Sequence, residues 1–269
     1  MEQTQEGFLS TEPNLQNIPI RHPKYGPLIR SCIASDKGKK IISADYSQIE
    51  LRVLAHISKD PTLVQAFKKD HDIHAITASE IYEIPLEQVT NHQRSLGKTL
   101  NFALIYMQGP FATARQLGIS MKEAKEYITK YFAQFPKIKP LIDKTLEKAK
   151  KDGYVETIYG RRIYFPDINS KNFILKAASQ RAAFNATLQG TGTGDIIKLA
   201  MLRLDERINK ESLPIKIIMQ IHDELIFEVD EKFADKAVKI INEEMSLDQP
   251  LDVPLKVEAT IGNNWAETK

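Results

Sequence analysis

Apolar and polar positions over Lys39–Ser58 (KKIISADYSQIELRVLAHIS) predict a strand that passes directly into a helix. Ile41, Ile42 and Ala44 suit a short buried strand, and Ile49, Val53 and Ile57 then recur every four residues, as on one face of a helix. Asp45 stands where the two meet. A second apolar pair lies far downstream. Ile215–Ile221 and Leu225–Val229 flank His222-Asp223-Glu224, the pattern of a tight hairpin with acids at or beside its tip. The chain then predicts a helix over Phe233–Met245, a strand over Leu255–Ala259 and a tail with Trp265.

The middle of the chain reads as helical. Residues 61–92 predict helices in pieces, with Asp72-Ile73-His74 among them and a helix start at Pro85. In residues 91–108, Arg94, Lys98, Phe102 and Tyr106 are four apart, a step that drifts only about 40° per repeat, so all share one broad helix face. Helices follow over Met121–Phe132 and Pro140–Lys151, separated by a break at Pro136. A hairpin is predicted over Tyr154–Phe165, with Gly160 at its turn. A second long helical region covers 170–204 and places Arg181, Asn185 and Gln189 at four-residue spacing. The glycines of GTGTGD (Gly190–Asp195) are expected to break that helix or to let another backbone approach closely. Before Lys39 the chain reads as loop with short extended pieces, because Pro13, Pro19, Pro23 and Pro27 oppose a long helix.

Composition narrows the class. The chain has 269 residues, 42% hydrophobic and 27% charged, as in a globular protein of one large domain or two small ones. Net charge is +2, so any nucleic-acid surface must be a local patch. The single cysteine, Cys32, excludes an internal disulfide framework and a cysteine zinc cluster. No apolar run reaches membrane-spanning length and the N-terminus lacks a signal-peptide core, so a cytoplasmic or nucleoid location is expected.

Each candidate group has a plain structural alternative. Asp45 alone could cap a helix. Adjacent acids between apolar strands could be a solvated turn, although they are costly unless something positive neutralises them. Two cations and two rings along one helix face could be an ordinary amphipathic helix. The same face also suits a nucleoside triphosphate, with cations on the phosphates and rings against sugar and base. Arg181, Asn185 and Gln189 could be an exposed stripe or could reach into a duplex groove. If Asp45 and Asp223 meet at neighbouring strand ends, they can hold two divalent ions about 3.5–4 Å apart. Mg²⁺ is the expected metal for oxygen and phosphate ligands, with Mn²⁺ as a substitute.

DYSQIELR (Asp45–Arg52), Arg94-x-x-x-Lys98-x-x-x-Phe102-x-x-x-Tyr106 and QIHDELIFEV (Gln220–Val229) resemble motifs A, B and C of family A DNA polymerases. TEPNLQNIPIR (Thr11–Arg21), DIH (Asp72–His74), GRRIYFPDINS, QRAAFNATLQG and VEATIGNNW also resemble that family, in its order and over nearly the whole chain. The resemblance implies an α+β polymerase palm, an antiparallel sheet with packed helices, carrying an inserted helical fingers subdomain. The implied boundaries are palm over 1–60, fingers over 61–166 and palm again over 167–269. It implies template-directed DNA synthesis on primer–template DNA from dNTPs, without proofreading.

The resemblance also implies residue roles. Asp45 and Asp223 resemble the metal ligands, with the Tyr46 carbonyl assisting and Glu224 as an auxiliary carboxylate. Arg94, Lys98 and His74 resemble the phosphate contacts, with Lys98 placed to protonate or shield the leaving oxygen. Phe102 resembles the ring beneath the sugar. Glu50 and Tyr106 resemble the pair near C2′, where the bulk of Glu50 excludes a ribose 2′-OH. Gln48 falls within the nucleotide-binding motif. Arg181, Asn185, Gln189 and His222 resemble primer–template contacts near the new pair. Asn14, Gln16, Asn17 and Arg21 resemble DNA contacts on the template side.

The chain also departs from the pattern. The family's minor-groove arginine falls near Gly7 and Phe8; Ala103 and Met107 replace glycines; GTGTGD carries one extra residue. No thumb or exonuclease domain is expected, so either the chain is a fragment or another chain supplies the clasp. Two rival readings are a single-subunit RNA polymerase, which Glu50 opposes, and a non-catalytic subunit that binds DNA or a partner.

Overall fold

The structure, a computed structural model, describes residues 22, 24–247 and 251–268. The chain divides into two compact units. One comprises residues up to Ile49, 192–250 and 255–269; the other comprises Glu50–Thr191 and Leu251–Pro254.

The first unit is built on a four-stranded antiparallel sheet. It contains helix α1 (Tyr25–Ser31) and strand β1 (Lys39–Tyr46). Pro27 lies in the first turn of α1, where no intrahelical N–H bond is required, so the predicted loop includes a short helix after all. The second unit begins within α2 (Ile49–Ser58) and continues through α3 (Pro61–Lys68), α4 (Ile73–Tyr82), α5 (Asn91–Ile105), α6 (Pro110–Leu117), α7 (Met121–Gln134) and α8 (Ile138–Asp152). A small hairpin, β2 (Tyr154–Glu156) and β3 (Arg162–Tyr164), leads to α9 (Phe173–Gln189). After α10 (Ile197–Glu211), the first unit is completed by β4 (Ile215–Ile221), β5 (Glu224–Asp230), α11 (Ala234–Ser246) and β6 (Val257–Gly262). The last strand thus starts two residues later than the sequence pattern predicts and runs on to Gly262.

The sheet order is β4-β5-β1-β6. Its centre is covered on both faces, which is why Ile41, Ile42, Leu225, Ile226 and Phe227 are all fully buried. Alternation along β1 sorts the two faces. Tyr46 faces α11 and donates its hydroxyl to the Met245 carbonyl at 2.6 Å. Ile41 packs with Ile221, Ile226 and Trp265 on the other face, which Ser43 and Asp45 share by alternation.

The glycine run does not break its helix. Gly190–Ile196 forms a π-helical turn between α9 and α10. The wider turn accommodates the run as helix. What lies close to Gly192 is a side chain and not the expected backbone: a Cβ there would lie 3.3 Å from Cγ1 of Ile49.

Candidate active site: a carboxylate sheet end and a cationic helix

At one end of the sheet, Asp45 is paired with Glu224 across β1 and β5. The next backbone link is from the Tyr46 N–H to the Asp223 carbonyl, 3.1 Å. Asp45 and Asp223 therefore lie within one residue of a cross-strand pair, on strands about 4.8 Å apart. Asp223 and His222 form the two-residue turn between Ile221 and Glu224. His222 has φ +54°, a conformation that hairpin turns usually give to glycine. Gln48, just beyond β1, also has φ +54°.

Glu224 is buried, and its Oε1 is held from two directions. Ser43 Oγ donates to it at 2.5 Å and Trp265 Nε1 at 2.9 Å. The Arg30 guanidinium lies 4.0 Å from the centre of the Trp265 ring. Burial lowers the Arg30 pKa from its ordinary value, while the charges of Glu224 and Asp45 oppose that shift. The sheet end thus concentrates acid, with one buried cation behind it.

In the helical unit, α4 and α5 pack together. Asp72 caps α4, accepting from the amides of His74 at 2.9 Å and Ala75 at 3.2 Å. Its other oxygen pairs with Arg94 Nε on α5. A capping box of Thr90 and Gln93 starts α5. The four predicted positions do share a face: Arg94, Phe102 and Tyr106 are half-buried and Lys98 is exposed, while Leu100, Asn101 and Leu104 point into the core. Phe102 and Tyr106 stack with ring centres 6.3 Å apart, and the His74 ring lies 5.9 Å from that of Phe102. Lys98 has no ion pair or hydrogen bond among the described residues. Burial pushes the His74 pKa down to about 4, with the Arg94 and Lys98 charges adding to the shift and Asp72 opposing it.

Further along α5, Tyr106 donates its hydroxyl to Glu50 Oε2 at 2.7 Å. Gln189 Nε2 reaches Glu50 Oε1 at 3.2 Å and the Tyr106 oxygen at 3.3 Å. Gln189 therefore braces the Glu50–Tyr106 pair, which its spacing on α9 did not reveal. Arg181 is exposed and Asn185 half-buried on the same side of α9, against a core side of Ala183, Phe184, Thr187 and Leu188.

The DNA polymerase family A model matches residues 1–267. The chain belongs to DNA polymerase family A. Among curated relatives it is similar to DNA polymerase I of Pseudomonas aeruginosa, 45% identical over 96% of this chain and 28% of the relative. It is 41% identical to the thermostable DNA polymerase I of Thermus aquaticus, over 97% of this chain and 31% of the relative. The chain thus spans less than a third of these relatives' length. A solved structure of the POL domain of Pol1 from M. smegmatis, in complex with DNA primer-template and dNTP, matches with a TM-score of 0.92. That match has 40% identity over 97% of this chain and 46% of the solved chain.

In this family A chain the donor set at the sheet end suits Mg²⁺. Among the described residues no group of three or more acidic, histidine or cysteine side chains closes around one point. Asp45 and Asp223 with a backbone carbonyl are nonetheless the kind of sparse, all-oxygen set that Mg²⁺ takes when phosphates and water complete its shell. The Tyr46 side chain is committed to α11, so any share it has in such a site belongs to its carbonyl. His222 is exposed beside the acids. Asn14, Gln16, Asn17 and Arg21, and the departure at Gly7 and Phe8, lie outside the described residues. No helix of the described residues is long and apolar enough to cross a membrane.

Three functional neighbours were given no role by the sequence reading. Trp265 and Ser43 hold Glu224, and Asp72 orients Arg94. Asp72 could have been found as an N-cap preceding an apolar-periodic run. Trp265 could not, because pairing between distant segments, β1 with β6 and Ala34 with Asn264, brings the tail to the sheet end.

Proposed function

We propose that this family A chain adds deoxynucleotides from dNTPs to a primer 3′ end, directed by a DNA template and without proofreading. The register that pairs Asp45 with Glu224, the residue next to Asp223, is the observation that supports the reading. These side chains and the Tyr46 carbonyl would hold two Mg²⁺ ions. When bound, such a pair lowers the pKa of an attacking hydroxyl and neutralises charge on the departing pyrophosphate.

The chain's own residues do the rest. Arg94 and Lys98 neutralise the triphosphate, with Lys98 donating to or shielding the leaving oxygen. His74 adds a hydrogen bond to a phosphate oxygen. Phe102 packs against the sugar, and Glu50, held by Tyr106, fills the space that a 2′-OH would need. Gln48 assists at the nucleotide. Glu224 stands behind the metal ligands as the auxiliary carboxylate. Arg181, Asn185, Gln189 and His222 contact the primer–template near the new pair, and Asn14, Gln16, Asn17 and Arg21 the template side. In these terms the sheet unit serves as palm and the helical unit as fingers. The M. smegmatis domain, solved with primer-template and dNTP, supports the same partners here.

The test is primer extension by the 269-residue chain with Mg²⁺. Extension by dNTPs, lost in Asp45→Ala and Asp223→Ala, is expected. A mismatched primer terminus should persist rather than be trimmed. DNA binding without extension under any divalent metal would reject the proposal.

A further inference from the structure

Asn101 lies fully buried on α5, one position before Phe102, and its amide is surrounded by polar atoms. Nδ2 lies 3.0 Å from the Gly97 carbonyl, 2.9 Å from Thr77 Oγ1 and 3.1 Å from His74 Nδ1. A carbonyl oxygen only accepts, so the atom facing Gly97 must be the amide nitrogen. That fixes the orientation of the side chain. The amide nitrogen has two protons for these three neighbours, and the Thr77 hydroxyl, which can donate to the Ile73 carbonyl at 2.9 Å or to Asn101 Oδ1 at 3.2 Å, requires neither, leaving them for the Gly97 carbonyl and His74 Nδ1. An amide nitrogen cannot accept a hydrogen bond, so a proton on His74 Nδ1 would face another donor in a buried site. His74 Nδ1 must accept, and the single ring proton of the neutral imidazole resides on Nε2.

The charged groups facing the ring are Asp72, from the cap of its own helix, and Arg94 and Lys98, from α5. Two cations and burial already oppose a charged imidazole. The amide adds the choice of tautomer. Nε2 has no hydrogen-bond partner among the described residues.

We propose that Asn101 is a positioning residue: its amide locks His74 as the neutral Nε2–H tautomer, so that Nε2 is a fixed donor to a phosphate oxygen of the incoming triphosphate. The inference rests on the reading of His74 as a phosphate contact. It adds a division of labour within the helical unit. Arg94 and Lys98 bring charge, whereas His74 brings a directional hydrogen bond whose strength does not vary across neutral pH.

The experiment combines ¹⁵N NMR of the histidine rings with titration of Mg²⁺·dATP, on the intact chain, Asn101→Leu, Asn101→Asp, His74→Ala and the Asn101→Leu/His74→Ala double variant. The unsubstituted chain should show His74 with Nε2 protonated and Nδ1 bare. Asn101→Asp, which presents an acceptor to Nδ1, should move the proton toward Nδ1 and raise the pH at which the ring titrates. Asn101→Leu and His74→Ala should each weaken dATP about tenfold, and the double variant no further, as expected of residues acting in series. A protonated Nδ1 in the unsubstituted chain overturns the proposal, even where the Leu variant fails to fold. If His74→Ala weakens dATP while Asn101→Leu changes neither tautomer nor affinity, the positioning role falls and the phosphate contact stands. If the tautomer follows Asn101 but His74→Ala binds dATP normally, the phosphate contact falls and the proposal with it.

Discussion

The Tyr106 hydroxyl donates to Glu50 at 2.7 Å, and Gln189 closes the triangle from α9. This fixes a carboxylate and its aliphatic stem against Tyr106, whose ring stacks on Phe102. A sugar 2′-hydroxyl arriving there would meet bulk already engaged in hydrogen bonds. Glu50→Ala should raise ribonucleotide incorporation relative to deoxynucleotide by about two orders of magnitude, or ~3 kcal/mol. Tyr106→Phe removes one bond to the carboxylate and should give a smaller relaxation in the same direction. Competition between rATP and dATP in single-nucleotide extension reads both. Unchanged sugar discrimination in Glu50→Ala would reject this role.

Met107 follows that tyrosine with φ +54°. A side chain in this left-handed region costs roughly 1–2 kcal/mol, whereas glycine gives up only about 0.5–1 kcal/mol of chain entropy relative to alanine. Strain relief therefore outweighs entropy, and Met107→Gly should stabilise the fold by up to ~1 kcal/mol in urea denaturation. The methionine keeps the backbone conformation that the motif's glycine favours, so the departure leaves the local chain path in place. A Met107→Gly variant that loses stability would show that methionine contacts outweigh the strain.

Much of this was legible in local patterns. Strand β1 reaching Asp45, the β4–β5 hairpin and the shared face of Arg94, Lys98, Phe102 and Tyr106 follow from local apolar and four-residue patterns. What stayed hidden depends on pairing between distant segments. Trp265 meets Glu224 because β6 lies beside β1 and the Trp265 N–H bonds the Ile33 carbonyl. Gln189 braces Glu50 although 139 residues separate them. Asn101 looks like an ordinary polar residue until α4 supplies His74 and Thr77. Neither a break nor a close backbone, the two readings of the glycine run, anticipated a π-helical turn, because composition shows conformational freedom without showing how a wider helical turn uses it.

The Trp265 indole N–H donates to buried Glu224 Oε1, as does the Ser43 hydroxyl. Trp265→Phe keeps the ring under Arg30 but removes that donor. The loss should destabilise the chain by about 1–3 kcal/mol, the cost of under-satisfying a buried carboxylate. Ser43→Ala should act in the same direction. The double variant should cost more than the sum of the singles, since each donor partly compensates at the same oxygen for loss of the other. Additivity in a urea double-mutant cycle would show that the two act independently.

Acid should weaken the α4–α5 pair through two groups of the same sign. Burial pushes the Asp72 carboxyl up, but its bonds from Arg94, Ala75 and His74 outweigh this and leave its pKa below the usual value of 3.8. Its contribution is present above that value and lost as pH falls through the lower folded one. His74 titrates near 4 when folded and 6.5 when unfolded. Between those values the unfolded chain binds a proton that the native chain does not, so stability falls on acidification from 6.5 to 4, by on the order of 3 kcal/mol. Burial and the Lys59 charge lower the His56 pKa as well, adding a loss of the same sign. His74→Gln should therefore flatten, but not abolish, the pH dependence of the urea midpoint between 6.5 and 4. An equal slope in the variant would contradict the assignment.

Gly97 sets how closely α5 approaches α4. A Cβ there would lie 2.3 Å from the His74 carbonyl oxygen and 3.1 Å from the Ala78 nitrogen, both backbone atoms that no rotamer change can move aside. Two effects compete in Gly97→Ala. Alanine gains about 1 kcal/mol of helix propensity. The overlap forces the helices apart at a cost of about 1–3 kcal/mol. Overlap this deep belongs at the upper end of that range, so a net loss of ~1–2 kcal/mol is expected. The same displacement moves the His74 backbone away from Asn101, and dATP affinity should fall together with the urea midpoint. Gly97→Ser, with lower helix propensity and the same Cβ, should lose more stability than Gly97→Ala. A more stable Gly97→Ala variant that binds dATP normally would show that the helices can separate without cost, and that the glycine does not position His74.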